Sequence, residues 1–387
     1  MGAGRGELMT RAGFRPLAGC VLAALVIGAC APQAPTSTPS AAKPAQQQPA
    51  PAAAARKDGP SFTFKFASPS PEADLSGDGY KYWAKLVDER TGGRIKFQFF
   101  WAGSLLNSTQ MFAGVRDGLV EFAAPAMSYV SGQVPDVALF EVPFAYPTES
   151  RLMLPFYRDV EPILNDVFAK DYNQRVVWAS PSTTPDPVSC RDKFLDSERA
   201  WQGALVRVAG KWQTETLTRW GAKPVVIDLG EAYTALQRGT ADCLLLVYNL
   251  LDSFKLYEVA KNVTRIDHSI NLVAVTANLD AWNKLPAEDQ RILLDAGHEA
   301  QAYVDHQRVD LVTRTLEKFK GQGVKICTPA QQELNRLRSV TEPVLAEISA
   351  LQTDRGHRIQ DIARTYRAQV TQWGPTEGDT TPCVGAG

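Results

Sequence analysis

The sequence has no excess of charge of either sign. Its 387 residues include 41 lysines and arginines and 42 aspartates and glutamates. A chain with this balance presents no broad basic field for nucleic acid and no acidic tail. Recognition of a charged partner must therefore be local. The length favours two domains, and a hydrophobic content of 44% is ample for a core.

Catalytic and metal-binding motifs are missing as well. The sequence has no Ser-His-Asp order, no G-x-S-x-G and no phosphate-binding loop, and no two cysteines lie close together. It also has no internal repeat of the solenoid type. The sequence therefore predicts a protein that is not an enzyme and uses no metal or other cofactor. The four histidines lie apart on helical or loop segments, at His268, His298, His306 and His357.

A short apolar run near the N-terminus indicates export. The run "LAGCVLAALVIGAC" follows three arginines and is too short to span a membrane, which is the layout of a secretory signal. The small residues before Cys30 resemble the lipobox of bacterial lipoproteins, in which the cysteine is lipidated and becomes the mature N-terminus. Cys20 also fits that pattern but leaves almost no apolar core upstream. We predict a signal peptide over residues 1–29; secretion with an unmodified cysteine is the alternative.

The segment after the signal contains scarcely a large apolar residue. Residues 30–59 are rich in Pro, Ala, Gln, Ser and Thr. A segment of this composition buries too little apolar surface to offset the conformational entropy lost on ordering. We therefore predict a disordered linker kept extended by its prolines. The linker would hold a folded body away from the membrane to which the lipid on Cys30 attaches. The expected location is periplasmic or otherwise extracytoplasmic, with a lipid anchor.

The remainder of the chain alternates strand and helix patterns. "FTFKFAS" and "RIKFQFFWAGSL" have the period of two typical of strands, and the helical "GDGYKYWAKLVDERTGG" lies between them. This βαβ unit indicates an α/β fold. The second half repeats the alternation, with "ALVRVAG", "AKPVVID" and "ADCLLLVYNL" as predicted strands. The segment "PSTTPDPVSC" is interpreted as a connection between domains, and a very long helical run follows Leu285.

Four cysteines remain once the two in the N-terminal region are set aside. An even number in an oxidising compartment suggests two disulfides. Four cysteines allow three pairings, and the spacing alone does not choose among them. Four free buried thiols are the alternative. The residues are Cys190, Cys243, Cys327 and Cys383.

An arginine stands within the apolar run "GALVRVAG". Taking a guanidinium from water costs several kcal/mol unless an anion or a set of acceptors meets it, so Arg207 must have a partner. That partner is either a group from outside the protein or an internal acid. Arg207 could also extend to the surface from the end of its strand.

Four segments, in this order over about residues 61 to 350, resemble the solute receptors of tripartite ATP-independent periplasmic (TRAP) transporters. The resemblance implies a periplasmic-binding-protein-like (type II) fold, in which two α/β domains close by a hinge around a ligand in the cleft between them. It also implies a long helix that spans both domains, which the run after Leu285 resembles. The segments are "VDERTGGRIKFQFFWAGSL" with "GVRDGLVEFA"; "VPFAYPTE"; "WQGALVRVAG" continuing to "WGAKPVVIDLGEAYTALQRGTAD"; and "NLDAWNKLPAEDQRILLDAG".

The resemblance also implies a division of the chain and a function. The expected function is an extracytoplasmic solute-binding lipoprotein that captures a small organic acid for TRAP-type permease subunits, as a monomer without nucleic acid. The alternative is a ligand-binding sensor body that signals to a membrane receptor. The expected division is domain I over 60–184 and 273–312, domain II with the C-terminal helices over 185–272 and 313–372, and a tail over 373–387.

Arg207 has a specific role in this resemblance. The matching arginine of most TRAP receptors forms a two-pronged salt bridge with a ligand carboxylate, which suits the parallel donors of a guanidinium. Two features depart from the family. Where many members carry a second arginine, this chain has "TPDPVSCR", with Arg191 shifted several positions away. The polar motif after the "ALQ-G" helix is replaced by Leu244, Leu245 and Leu246. Leucines offer no hydrogen bonds, so a ligand less polar than a dicarboxylate or sialic acid is expected.

Both departures coincide with a cysteine. Cys190 precedes the Arg207 strand, and Cys243 lies within the replaced motif. We expect both near the cleft wall and favour a disulfide between them. Cys327 and Cys383 would then hold the C-terminal tail.

Six further residues are weaker ligand-binding candidates. In open α/β sheets, ligands lie beyond the carboxyl ends of strands, and apolar side chains supply walls. Ordinary packing is the alternative for each. The candidates are Ser68, Ser128, Tyr129 and Tyr248 after strands, and Trp212 and Phe144 as walls.

Overall fold

The computed structural model describes residues 58–180, 184–376, 378 and 380–383. The predicted signal peptide, the lipidation site at Cys30 and the linker up to residue 57 lie outside these residues. In this part of the chain, no helix is both long enough and apolar enough to cross a bilayer.

The described residues contain eleven strands in two sheets. In chain order they are β1 (Phe62–Ala67), β2 (Ile95–Phe100), β3 (Phe122–Ala123), β4 (Gln174–Ser180), β5 (Val188–Cys190), β6 (Leu205–Val208), β7 (Lys223–Val226), β8 (Cys243–Leu245), β9 (Asn262–Thr264), β10 (Val273–Asn278) and β11 (Lys325–Cys327). The first sheet has the order β2-β1-β3-β10-β4, and the second has β11-β9-β5-β8-β6-β7. We call the part built on the first sheet domain I and the part built on the second domain II.

Thirteen α-helices accompany these strands in the described residues. They are α1 (Leu75–Arg90), α2 (Met111–Arg116), α3 (Met127–Val130), α4 (Ser150–Asp171), α5 (Glu198–Trp201), α6 (Lys211–Arg219), α7 (Ala232–Arg238), α8 (Tyr248–Ser253), α9 (Leu279–Asn283), α10 (Ala287–Arg308), α11 (Leu311–Gly321), α12 (Gln331–Ser349) and α13 (Asp354–Arg367). Most parallel strands are joined through helices, and the predicted α/β fold is confirmed.

The helical run after Leu285 differs from the prediction of one uninterrupted helix. It breaks at Val309 and Asp310, between α10 and α11. The reason is that its two halves pack on different sheets: α10 packs on α1 and β4, whereas α11 packs on α8 and β11. Arg308, fully buried at the break, donates to Ser150 and pairs with Asp305 at 2.7 Å.

Two other segments also differ from their predictions. The segment "PSTTPDPVSC", interpreted as a connection, ends in β5, whose three buried residues pair with β8 and β9. The segment "ADCLLLVYNL" is a strand only as far as Leu245, and α8 begins at Tyr248.

Besides the passage at the α10–α11 break, the chain passes between the sheets along two adjacent segments. It leaves domain I after β4 and returns before β10, and these crossings pair with each other through an antiparallel bridge between Pro185 and Ile270. The amide of Asp186 donates to the carbonyl oxygen of Ser269 at 2.9 Å. Paired crossing segments of this kind are where a hinge between the two domains would lie. The residue boundaries expected for the two domains stay a prediction.

Close helix packing builds the core of domain I. The indole nitrogen of Trp83 on α1 donates to the carbonyl oxygen of Leu293 on α10 at 3.0 Å. Gly297 faces Trp178 on β4, and a Cβ added at Gly297 would lie 2.7 Å from that indole ring. This position therefore requires glycine, because any larger residue would separate α10 from the sheet.

Two disulfides are present in domain II and the C-terminal segment. Cys190 is bonded to Cys243, the pairing favoured from the sequence, and joins β5 to β8 where the two residues face each other. Cys327 at the end of β11 is bonded to Cys383 and holds the C-terminal segment. Each bond closes a loop of similar length, with sequence separations of 53 and 56 residues.

Removing either disulfide should lower the free energy of unfolding by a similar amount. The chain-entropy relation gives about 4 kcal/mol for loops of this length. We expect this loss both for the double variant Cys190→Ala with Cys243→Ala and for Cys327→Ala with Cys383→Ala, measured by urea unfolding without reductant. A protein whose stability is the same with and without reductant would contradict the expectation.

Candidate functional site

A small cavity lies between the two domains, beyond the carboxyl ends of parallel strands in both sheets. Its volume is about 30 Å³, which is room for one or two water molecules. The lining residues follow β1 and β3 on one side and β6, β7 and β8 on the other, the position at which open α/β sheets bind ligands. They are Pro69, Ser70, Ala126, Ser128 and Tyr129 from domain I; Arg207, Ala209, Gln213, Leu229, Leu245, Leu246, Val247 and Leu250 from domain II; and Asn271 and Val273 at the return crossing.

Arg207 lies on β6 between β7 and β8 and reaches the cavity with only 1% of its surface exposed. Its Nε donates to the carbonyl oxygen of Ile227 at 2.9 Å, and its Nη2 donates to the hydroxyl of Tyr129. The guanidinium also lies 5.9 Å from the centre of the Tyr129 ring. Neither partner is an anion, so the contacts hold the orientation of the guanidinium without neutralising it.

No carboxylate forms an ion pair with Arg207 among the residues that the structure describes. Asp228, next to Ile227, instead accepts from the amides of Ser108 and Gly230. Asp186 lies near enough to interact electrostatically with Arg207, but burial raises the pKa of Asp186 to about 8. Asp186 is thus largely protonated at neutral pH. Arg207 therefore has no ion-pair partner within residues 58–180 and 184–376, an arrangement that an external anion would complete.

Hydrogen bonds also join the two domains directly at a place separate from the cavity. The carboxylate of Asp74, at the start of α1, accepts from Asn249 at 3.0 Å and from Ser253 at 2.7 Å, both on α8. Together with the hydrogen bond between Arg207 and Tyr129, these contacts hold the domain I and domain II walls of the cavity close to each other. A cavity of about 30 Å³ is well below the size of an organic acid site, so binding requires the walls to move apart.

A second interdomain contact lies directly behind the Arg207 strand. Glu141 of domain I accepts from the amide of Gln213 at 3.1 Å, at the first turn of α6, and from the hydroxyl of Ser131. Burial raises the pKa of Glu141 to about 7, against the opposing effect of these donors. Gly210 is needed here, because a Cβ at this position would lie 2.4 Å from the carbonyl oxygen of Ser128.

Three of the seven predicted ligand-binding residues meet at the cavity: Arg207, Ser128 and Tyr129. The other four do not line it, although contact with a ligand stays untested for all seven. Ser68 is fully buried and bonds to the backbone of Ser70, and Trp212 packs in the core with Lys211 over its ring.

Phe144 and Tyr248 are likewise held away from the cavity by their own partners. Phe144 packs in the core against Trp220 and His268. The hydroxyl of Tyr248 donates to Asp267 at 2.6 Å and accepts from Arg265 at 3.0 Å, an ion pair that is itself buried. Both side chains are therefore structural in this arrangement.

Cys190 and Cys243, expected near the cleft wall, do not line the cavity. β5 runs antiparallel to β8, so its last residue faces the first residue of β8, at the end of the sheet away from the cavity. Arg191, which follows Cys190, lies at that same end and forms a loose ion pair with Asp242 at 3.9 Å. Arg191 therefore does not replace the family's second arginine at the cavity.

Twelve of the fifteen lining residues were not proposed from the sequence as ligand-binding residues, and five of them show why. Ser70 and Leu229 each come three residues after a strand ends, so the rule that selected Ser68 points to them equally. Gln213, Leu250 and Asn271 have no comparable signal, because their positions depend on where α6, α8 and the return crossing begin.

A larger depression of about 180 Å³ lies beside α1, α8 and α11. Three aspartates line it, at Asp74, Asp78 and Asp252. Arg314 is its one lining cation, and this side chain is exposed and lies 4.0 Å from Asp310. An anion would be repelled by this lining, so the cavity at Arg207 is the better candidate.

Two α/β domains with a ligand cavity at the crossing between them define a solute-binding receptor of the periplasmic type. Residues 66–352 match the family described as bacterial extracellular solute-binding protein, family 7 (DctP), and the chain belongs to this family. This is the family of TRAP solute receptors, so the resemblance seen in the sequence is confirmed.

The chain is similar to several characterised relatives. It is 24% identical over 268 residues to the ectoine-binding periplasmic protein TeaA of Halomonas elongata, covering 69% of this chain and 78% of that one. It is 25% identical over 295 residues to a monocarboxylate 2-oxoacid-binding periplasmic protein of Nostoc sp., covering 75% and 80%.

Solved structures share the fold. A TRAP periplasmic solute binding protein from Desulfovibrio salexigens with bound orotic acid superimposes with a TM-score of 0.75 at 23% identity, covering 80% of this chain and 99% of that one. The family and these neighbours are solute-binding receptors rather than enzymes. The protein is thus an extracytoplasmic receptor for a solute of a TRAP transporter.

Asp186 should make the protein less stable as pH rises. The unfolded chain releases this proton near the ordinary pKa of 3.8, whereas the folded protein holds it until about pH 8. Rising pH therefore favours the unfolded chain across this range, by up to about 1.4 kcal/mol per pH unit.

We expect Asp186→Asn to lose less stability than the wild type between pH 5 and pH 8, by up to about 4 kcal/mol in urea unfolding. Glu141 contributes to both proteins equally and cancels in the difference. The matched variant Glu141→Gln should reduce the loss of stability with rising pH mainly below pH 7. Parallel pH profiles for wild type and Asp186→Asn would contradict the assignment.

Proposed function

We propose that this receptor captures a small organic acid by pairing its carboxylate with Arg207 and delivers it to the permease subunits of a TRAP transporter. The observation that carries this proposal is a buried arginine that lines the interdomain cavity and forms no ion pair with an acid in the part of the chain that the structure describes. A guanidinium in this setting gains most from a carboxylate, which accepts two parallel N–H donors and restores charge balance.

The names of relatives and neighbours support an acidic ligand. They include proteins that bind monocarboxylate 2-oxoacids, 2,3-diketo-L-gulonate and sialic acid, and structures with bound galactonate and glucuronate. Each of these ligands carries a carboxylate. Their other groups differ widely, which is consistent with one shared anion contact and a variable remainder of the site.

Binding and closure are coupled in this proposal. The ligand enters between separated domains, and the hinge at the paired crossings brings Tyr129 of domain I over Arg207 of domain II. A ligand that contacts both walls stabilises the closed form by the difference between its affinities for the closed and open forms. The permease would then recognise the closed surface.

Replacing Arg207 should abolish binding of acids without unfolding the protein. In a thermal-shift and calorimetric screen of carboxylates, keto acids and acidic sugars, we expect a hit to bind the wild type and to lose about 2–5 kcal/mol with Arg207→Ala, at least about 30-fold in Kd. Arg207→Lys should retain part of the affinity, because lysine keeps the positive charge but lacks the two parallel N–H donors of a guanidinium.

The matched control for this screen is Arg191→Ala, which removes an arginine of the same domain that lies away from the cavity. Its Kd should equal that of the wild type. Binding of neutral sugars or cations that Arg207→Ala leaves unchanged would contradict the proposal.

We further propose that the receptor is a monomer tethered to the membrane through lipid on Cys30. The full-length protein should appear in the membrane fraction and partition into detergent, and Cys30→Ser should release it into the soluble fraction. Cys20→Ser is the control and should stay with the membrane. The reverse outcome would move the lipid to Cys20, and a soluble wild type would exclude the anchor.

A further inference from the structure

The charges around the cavity limit what the rest of the ligand can carry. Arg207 is the one charged residue among the fifteen that line it. Ser70, Ser128, Tyr129, Gln213 and Asn271 are the polar neutral ones. After a first carboxylate pairs with Arg207, a second would find no cation among the lining residues. An ammonium group would find no carboxylate among the lining residues either, since Asp186 lies behind Asn271 and does not line the cavity.

The wall beside Arg207 is apolar and belongs to domain II. β8 lies next to β6, with Leu244 in register with Arg207, so the residues that follow Leu244 project at the same edge as the guanidinium. Leu245 and Leu246 line the cavity there and are 2% and 5% exposed. Leu250 on α8 extends the same wall.

Other apolar residues from three further segments also line the cavity. Leu229 follows β7, Val247 precedes α8, and Val273 begins β10. A charged or strongly hydrated group placed against this wall would lose its water without gaining a partner. A hydrocarbon group would bury apolar surface there and be stabilised.

Resting on the proposed function, we propose that the ligand is a monocarboxylate whose body is a compact hydrocarbon, and that Leu245, Leu246 and Leu250 select for it. Arg207 fixes the carboxylate end, and the leucines accept the apolar end. Dicarboxylates and acidic sugars are discriminated against, because each brings a polar or charged group to the leucine wall. Amino acids are discriminated against because their ammonium group would lie beside Arg207, where no carboxylate lines the cavity.

The test uses four small probes that differ in charge, three of them with the same branched carbon skeleton. They are 4-methylpentanoate, its amide, the amino acid L-leucine, and pentanedioate as the dicarboxylate. Calorimetry with the full folded protein should give a Kd for 4-methylpentanoate at least about tenfold below those of L-leucine and pentanedioate, and no binding of the amide. Arg207→Ala should abolish binding of 4-methylpentanoate.

The wall is tested by Leu246→Gln with Leu246→Met as the matched control. We expect Leu246→Gln to raise the Kd for 4-methylpentanoate about 10- to 100-fold. Leu246→Met should keep the Kd within about threefold of the wild-type value, because methionine keeps the volume and the apolar character of leucine. Thermal unfolding checks that each variant is folded. Leu250→Gln provides the same test at a less buried position if Leu246→Gln fails to fold.

The outcomes separate this inference from the proposed function. Pentanedioate or L-leucine bound as tightly as 4-methylpentanoate, and lost with Arg207→Ala, would overturn the inference and leave carboxylate capture standing. Equal affinity of wild type and Leu246→Gln for 4-methylpentanoate would overturn the role of the leucine wall. If Arg207→Ala changes the binding of no acid, carboxylate capture itself fails.

Discussion

The site is organised around a buried positive charge that the protein does not neutralise. Arg207 is held by a carbonyl oxygen and a phenolic hydroxyl, and both leave its charge intact. Two neighbouring acids do not form an ion pair with Arg207. Asp228 accepts from two backbone amides, and burial raises the pKa of Asp186 to about 8. Burying an unneutralised guanidinium costs free energy, which the packing of domain II offsets. An incoming carboxylate lowers this cost. The affinity for the ligand and the orientation of its carboxylate thus both depend on the Arg207 side chain.

The sequence was sufficient to predict the features that depend on residue type and order. The alternating patterns predicted the α/β fold, and an arginine in an apolar strand required a partner wherever the strand lay. The rule that ligands lie beyond the carboxyl ends of strands selected Ser128 and Tyr129, which line the cavity. The departures from the family motifs led to the Cys190–Cys243 pairing, because both positions had changed together.

Features set by tertiary packing were beyond the sequence. The break between α10 and α11 leaves no trace in the helical pattern, since it arises where the run passes from one sheet to the other. The direction of β5 could not be read from three residues, and that direction places Cys190 and Arg191 away from the cavity. Tyr248 was expected at the site, yet its buried ion-pair partners hold it in the core, and nothing in its local sequence reveals them.

The hydrogen bonds that Asn249 and Ser253 donate to Asp74 have a kinetic consequence. They connect the domains through protein groups alone, at a place separate from Arg207. A receptor that favours its shut form in this way admits ligand only during the fraction of time it is open, which slows capture and reduces apparent affinity by that fraction. In return, a captured molecule is retained longer, because departure requires the same bonds to break. The receptor would therefore favour retention during diffusion to the membrane over speed of loading.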